Sequence, residues 1–416
     1  MGSDQSWSVV CHLDYGDHGE VCVINHQDGT THARTLPATE ASGEPLARRT
    51  VFLGLDDQEQ AVLLNPVTKE VTKSSSCPSD IYPAYAYLDP GSNRIWFMND
   101  GDPKTGNDTL NCGENGASVT IVDRSSGELL KTLCVGRGHH VATFVDNTKH
   151  GAVTYLSNLI DGSIDVVGND PGKETFLTVI ETINLLDSTK EKDENVNIPN
   201  NAFPHGKVFS SVSNKLYNLN NGYKAISVIT IDDNTISATV EMPVSSNLLL
   251  SPCGRFIIGK GADRKADPDH VMGRISVMDV EKEAIVAHSD LQDVYPSTYR
   301  FSPNGEKLYV TTAATGKDAQ RDNLALNALL VFDAKALPEL KLEKTVAIGK
   351  ADCGRRPIAF LNRSDASALV FIPNPTDGSL SVLDEASDEI VETVKLTDKP
   401  VKELLFSFWR SDIHGC

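Results

Sequence analysis

The chain has 416 residues, 40% of them hydrophobic, and a formal net charge of −19, a composition that buries a large core and stays in water. The acidity excludes a general nucleic-acid or anionic-membrane binder, because phosphate affinity needs a basic surface. No apolar run approaches the length of a membrane-crossing helix, so no membrane insertion is expected.

At the N-terminus, "MGSDQSWSVV" shows no basic segment followed by an apolar one. No export signal is visible, so the sequence reads as cytoplasmic, with a periplasmic location the alternative if a signal was removed. Eight cysteines (11, 22, 77, 112, 134, 253, 353 and 416) are scattered without a CxxC. That excludes covalent c-type haem and the usual zinc ribbons. Free buried thiols are the expectation in a chain of this length.

From Glu20 onward one phrase recurs: an alternating apolar strand, a polar turn and a second strand. Its copies are "EVCVINHQDGTTHARTL", "QAVLLNPVTKEVTKS", "SVTIVDRSSGELLKTL", "SIDVVGNDPGKETFLTV", "AISVITIDDNTISATV", "RISVMDVEKEAIVAHS", "LLVFDAKALPELKLEKTV" and "LSVLDEASDEIVETV". Period-2 alternation broken by Asp, Asn and Gly marks antiparallel hairpins. Most copies follow a further pair of strands, as in "YRFSPNGEKLYVTT" and "IAFLNRSDASALVFIPN". Four strands per repeated unit predict an all-β fold, a β-propeller forming a single domain over residues 1–416.

Innermost strands are expected to begin near Tyr82, His139, Phe203, Ser245, Tyr295, Arg355 and Lys399, roughly 53 residues apart. The closing "KPVKELLFSFW" has no hairpin after it and should pair with the N-terminal "SWSVVCHL", closing the ring by a shared blade and removing a free sheet edge. Eight hairpins give eight blades; "RRTVFLGLDDQEQAVLLNP" fits two registers, which leaves seven as the alternative. Long helices are not expected.

In such a ring the first residues of the innermost strands crowd around one mouth of the axial channel, where grafted sites converge. Those positions hold Tyr82, His139 with His140, His205, Ser245 with Ser246, Tyr295, Arg355 with Arg356, and Lys399. If the second blade starts at "ARRTVFL", Arg48 and Arg49 join them. The loops 99–116, 261–273 (with His270) and 313–327 overhang the same face, longer than a hairpin needs, and are candidates for a lid.

Neutral imidazoles are common ligands for copper, zinc and iron. His139, His140 and His205, with His270 from the lid, are therefore the candidate metal ligands, with copper ahead of iron or zinc. The competing reading is a set of hydrogen-bonded histidines packed between blades. Arg355, Arg356 and Lys399 are candidates to hold a cofactor or a small anionic ligand, and Tyr82 and Tyr295 to supply a proton or hydrogen bond in catalysis. The Asp/Asn-rich loop 99–116 offers oxygen ligands for calcium but lacks the EF-hand spacing, so a solvated loop is expected. Cys112 in that loop is either a free thiol or a disulfide partner of Cys77.

The phrase P-x-x-x-x-F-S-P-N-G-x-x-L-Y-V-T followed by S-V-x-D resembles the YVTN-type propeller repeats over nearly the whole chain, which implies architecture alone. The His139–His140 pair at a strand start is similar to the copper-cluster site of nitrous-oxide reductases. There, histidines come from most other blades, whereas Tyr82, Ser245, Tyr295 and Arg355 stand in those places here, which leaves room for a mononuclear or dinuclear centre. The eight-blade count resembles the haem domain of cytochrome-type nitrite reductases. That resemblance implies a modified haem in the funnel, with His139, His140 or His205 as axial ligand and Arg355, Arg356 and Lys399 on its carboxylates. The readings are thus a metal-binding oxidoreductase-type propeller, a tetrapyrrole-binding propeller, or a non-catalytic scaffold that binds a protein partner.

Overall fold

The computed structural model describes residues 7–14, 19–27, 30–37, 51–55, 60–64, 71–74, 83–92, 94–99, 118–123, 129–138, 141–191, 200–315, 318–352, 356–363, 366–398 and 403–408. Alternating sequences pair along the chain into antiparallel sheets. The first sheet holds β1 (Trp7–Asp14), β2 (Gly19–Gln27) and β3 (Thr30–Pro37); the second holds β4 (Val51–Leu55), β5 (Gln60–Leu64) and β6 (Val71–Ser74). The third is β7 (Pro83–Leu88), β8 (Arg94–Asn99), β9 (Ser118–Asp123) and β10 (Leu129–Cys134). The fourth is β11 (Ala142–Thr148), β12 (Gly151–Asn158), β13 (Ser163–Gly168) and β14 (Val179–Asn184).

The fifth sheet is β15 (Pro204–Ser210), β16 (Lys215–Asn220), β17 (Ala225–Thr230) and β18 (Thr235–Glu241). The sixth is β19 (Asn247–Leu250), β20 (Phe256–Asp263), β21 (Met272–Asp279) and β22 (Ala284–Gln292). The seventh is β23 (Pro296–Phe301), β24 (Lys307–Thr312), β25 (Ala328–Asp333) and β26 (Lys341–Ala347), with the short helix α1 (Asp318–Asn323) between β24 and β25. The eighth is β27 (Ala359–Leu361), β28 (Leu369–Asn374), β29 (Ser379–Asp384) and β30 (Glu389–Lys395). Finally β31 (Glu403–Phe408) returns to β1, from Val9 opposite Phe408 to Asp14 opposite Glu403. The pairing expected of the chain ends is therefore present, and it gives the first sheet its fourth strand.

Apolar layers lie between successive sheets. Trp96, Met98, Val119 and Ile121 of the third meet Ala142, Leu156 and Val167 of the fourth. Ile258, Ile275 and Val277 of the sixth meet Tyr299, Leu308, Val310 and Leu330 of the seventh. The second and third strands of a sheet are buried on both faces, as β12 and β13 are, while the fourth strands β10, β14, β18, β26 and β30 are largely exposed. Each of six third-to-fourth strand pairs carries a register shift, as between Val228 and Ile229 or Val382 and Leu383. A bulge twists an outer strand away from flat pairing and blunts an edge that would otherwise template aggregation.

Away from the mouth, a repeated clasp joins sheet to sheet. Lysine and tyrosine open the second strand in "NKLYNLN" and "EKLYVTT", and they reach the third-to-fourth strand turn of the next sheet. Lys215 Nζ meets Glu283 Oε1 at 2.6 Å, Lys307 Nζ meets Asp388 Oδ2 at 2.8 Å, and the Tyr309 hydroxyl donates to Asp388 Oδ1 at 2.5 Å. Tyr155 donates to Asn234 Oδ1 at 2.8 Å. The residues grasped, Asn234, Glu283 and Asp388, all have positive φ (58°, 47° and 53°), so the clasp holds a turn in the left-handed conformation that non-glycine residues otherwise avoid.

Candidate functional site

The inner strands β7, β11, β15, β19, β23, β27 and β31 begin within four residues of the starts expected from sequence, and β15 packs against both β11 and β19. Lys207 fixes the join between the fourth and fifth sheets. Its ammonium group, on a residue only 5% exposed, donates to Val141 O at 2.9 Å, Tyr155 O at 2.7 Å and Ser157 Oγ at 3.0 Å. Burial drives its pKa well down, with Asp165 opposing. The bond to Val141 sets the segment that follows His140 beside the segment that carries His205.

His205 is half-buried on β15. His139 and His140, like Tyr82, Arg355 and Lys399, lie outside the described residues, as do Arg48, Arg49, Cys77, Cys112 and nearly all of the loop 99–116. Among the described residues, no three His, Cys, Asp or Glu side chains converge as a metal site would require. Tyr295 is half-buried just before β23, and its carbonyl accepts from Ala313 N at 3.3 Å. Ser245 is buried, and its hydroxyl has no hydrogen-bond partner among the described residues.

Arg356 corrects the sequence reading. It is 0% exposed, and its guanidinium gives all five N–H groups to acceptors in the seventh and eighth sheets and the connections beside them. Nε donates to Pro373 O, Nη1 to Thr312 O and Leu326 O, and Nη2 to Gly349 O and Asn374 Oδ1, at 2.6–3.2 Å. Burial lowers its pKa to about 9. No donor is left for an anion, so Arg356 is a tie between sheets and not part of a cationic flank.

His270 takes a defined place on the connection from β20 to β21. Its Nδ1 lies 2.8 Å from Asp293 Oδ1, and this hydrogen bond, followed by the carboxylate charge, raises the imidazole pKa. The pairing fixes the ring and leaves Nε2 for another partner, an arrangement also used by metal-ligating histidines. The loop is braced from the next sheet by Gln320 of α1, itself 1% exposed, whose Nε2 reaches Arg264 O, Asp267 O and His270 O at 3.1, 2.8 and 3.3 Å. The overhanging loops 261–273 and 313–327 are thus joined.

Sequence reasoning passed over three features. Lys207 was one. Another is Lys260 on β20, which is 8% exposed, donates to Pro296 O at 3.2 Å and is lowered by burial to about 8. The last is a repeat legible in the sequence: "NLIDGSIDV", "NNGYKAISV" and "NPTDGSLSV". Its asparagines Asn158, Asn220 and Asn374 end a second strand and bond serine hydroxyls on the third, Ser163, Ser227 and Ser379, at 2.8–3.1 Å. Cys134 is disulfide-bonded, against the expectation of free thiols, whereas Cys253 is free.

No protein-family model and no curated protein matches the chain. Solved structures do. The periplasmic gluconolactonase PpgL of Pseudomonas aeruginosa superposes with a TM-score of 0.59 at 15% identity, covering 97% of this chain and 99% of that one. The fold is a β-propeller. The dihydro-heme d1 dehydrogenase NirN in complex with DHE gives 0.58 at 11% identity over 87% of this chain and 66% of its own length. Apo AztD of Citrobacter koseri gives 0.56 at 14% identity, covering 96% and 98%. At these identities the likeness concerns the fold. Among the described residues no helix is long and apolar enough to cross a membrane.

Proposed function

We propose that residues 1–416 form a single eight-bladed propeller whose mouth binds a transition metal ion, copper before iron or zinc, through His139, His140 and His205, and takes a small anionic ligand there. The observation that supports this reading is the Lys207–Val141 bond at 2.9 Å, which ties the strand that carries His205 to the backbone just after His140 in sequence. Three imidazoles with an open position form a reactive metal site, and a bound ion would supply Lewis-acid or redox chemistry. The chain's part is to hold the ion and orient the ligand, with Tyr295 and Tyr82 as hydroxyl donors and His270 as the fourth imidazole. The disulfide at Cys134 and the periplasmic neighbour favour the periplasmic alternative, since disulfides persist in oxidising compartments.

Elemental analysis of untagged protein tests the reading. His205→Ala should lower metal content as much as His139→Ala with His140→Ala, and the triple change should add little, because one ion shares the three ligands. His150→Ala, on the β11–β12 turn at the opposite end of the strand, should leave metal content alone. Protein that carries no metal, or a triple variant that keeps it, would overturn the proposal. The second reading, a modified haem held by His139, His140 or His205 with Arg355 and Lys399 on its carboxylates, is favoured by the likeness to a structure solved with DHE. Strong visible absorption of the purified protein would decide for it.

A further inference from the structure

The chain carries 57 acidic against 38 basic residues, so an arginine that reaches the surface should find a carboxylate. Five do among the described residues: Arg94 with Asp89, Arg137 with Asp161, Arg255 with Asp279, Arg274 with Asp290 and Arg363 with Asp384. Arg264 and Arg321 depart from this rule. Both are exposed and both stand on mouth loops. Arg264 Nη1 donates to Thr315 Oγ1 at 3.0 Å and Arg321 Nη2 to Asp352 O at 3.0 Å, and neither guanidinium pairs with a carboxylate. Each is therefore steadied at one nitrogen by a neutral acceptor, with its other nitrogens uncommitted.

Two carboxylates of the loop that carries Arg264 are held by its own backbone. Asp263 Oδ1 accepts from Lys265 N and Ala266 N, and Asp267 Oδ1 accepts from Asp269 N and His270 N. Asp269 and Asp322, in the same two segments, form no ion pair with either arginine. The two loops are also one scaffold. Gln320, next in sequence to Arg321, bonds the carbonyl of Arg264 at 3.1 Å, Asn323 Nδ2 bonds Asp269 O at 3.0 Å, and Ala325 N bonds Asp293 O at 2.9 Å. The backbones bearing the guanidiniums are thus fixed relative to one another before any ligand arrives.

We propose that Arg264 and Arg321 form the anion site of the mouth, taking a small molecule that bears a carboxylate or phosphate group. The inference rests on the reading of the mouth as a site for an anionic ligand and supplies the cations that Arg356 cannot. A guanidinium offers a planar fork that matches both oxyanions, and anchoring one nitrogen to a neutral acceptor restricts the side chain without neutralising it. In a protein this acidic, two cations left without carboxylates give the ligand a place to land that the surrounding surface repels.

The test is calorimetric titration of the full chain, stripped of metal with chelator, with inorganic phosphate in one arm and succinate in another at low ionic strength. Binding in either arm is expected, and which arm responds separates a phosphate ester from a carboxylic acid as the natural ligand class. Arg264→Gln and Arg321→Gln should each weaken it by about tenfold, and the pair by more. Arg274→Gln removes the same formal charge from a paired arginine and should change affinity by less than about twofold. Arg264→Lys with Arg321→Lys keeps the charge but loses the fork and should fall between. Failure of wild-type protein to bind either anion, or an equal loss in Arg274→Gln, would overturn the site. Metal content measured on the same preparations before chelation separates the two proposals, since anion binding by a protein that never holds metal would sink the metal reading and leave this one.

Discussion

The two ends of this propeller join their sheets in different ways. At the end away from the mouth the joins repeat: Lys215 on Glu283, Tyr155 on Asn234, and Lys307 with Tyr309 on Asp388. Each time a lysine or tyrosine of the second strand grasps a left-handed turn residue of the next sheet. At the mouth one join repeats, Arg137 N on Asp161 Oδ2 and Lys350 N on Asp377 Oδ2, but three others are individual. Lys207 holds three acceptors between the fourth and fifth sheets, Lys260 holds one between the sixth and seventh, and Arg356 holds five between the seventh and eighth. Residues that repeat with the blades serve architecture, because each copy solves the same packing problem. Departures from the repeat mark where the chain does something particular.

The largest effect should come from breaking the individual join that is best satisfied. Arg356→Ala removes five donors and leaves four carbonyls and the Asn374 amide oxygen around a buried void. A loss of at least about 4 kcal/mol, or failure to accumulate soluble protein, is expected. Denaturant unfolding checks this, and a change of about 1 kcal/mol would restore Arg356 to the list of free cations.

Lys260 sharpens the contrast in the opposite direction. One hydrogen bond does not replace the hydration of a buried ammonium group, and its pKa falls to about 8. Between about 8 and the ordinary lysine value the unfolded chain binds a proton that the native state refuses, so stability rises with pH across that window and is flat below it. Lys260→Met should raise stability by about 3 kcal/mol below pH 8 and remove the slope. Urea titrations at several pH values would show whether the slope disappears.

These joins also explain what could be read in advance. The hairpins and strand starts were legible because period-2 alternation and turn residues are local properties of the chain. The closing pair β1–β31 followed from a strand left without a hairpin. Helix α1 was not legible: six residues cannot hold a helix alone, and Gln320 stabilises this one through carbonyls of another sheet. Arg356 was placed correctly at a strand start but given the wrong task, because backbone carbonyls, which make up four of its acceptors, leave no mark in a sequence. The unpaired Arg264 and Arg321 were missed for the converse reason, since which arginines lack a carboxylate is a fact of tertiary structure.

Within the repeated clasps, burial should rank the copies. Asp388, 8% exposed, takes both the Tyr309 hydroxyl and the Lys307 ammonium. Asp388→Gly relieves the left-handed φ of 53° but leaves a buried hydroxyl and a half-buried cation without their acceptor. A net loss of about 2–3 kcal/mol is expected from thermal or denaturant unfolding. A neutral result would mean that strain relief equals the lost bonds and that the clasp holds the turn at no net gain.

The smallest effect should fall at the equivalent residue one clasp away. Glu283 has φ of 47° and meets Lys215 at 2.6 Å, with the two side chains 28% and 27% exposed. A partly solvated ion pair of this kind contributes about 0–1 kcal/mol. Left-handed backbone at a non-glycine residue costs roughly 1–2 kcal/mol, which glycine recovers, while glycine's larger unfolded-state freedom returns about 0.5–1 kcal/mol of that. The three contributions nearly cancel, so Glu283→Gly should stay within about 1 kcal/mol of the parent protein. Measuring it beside Asp388→Gly holds the backbone change constant and leaves burial of the grasped carboxylate as the variable. Equal losses in the two variants would show that the turn conformation, and not the Lys and Tyr contacts, sets the strength of the repeated join.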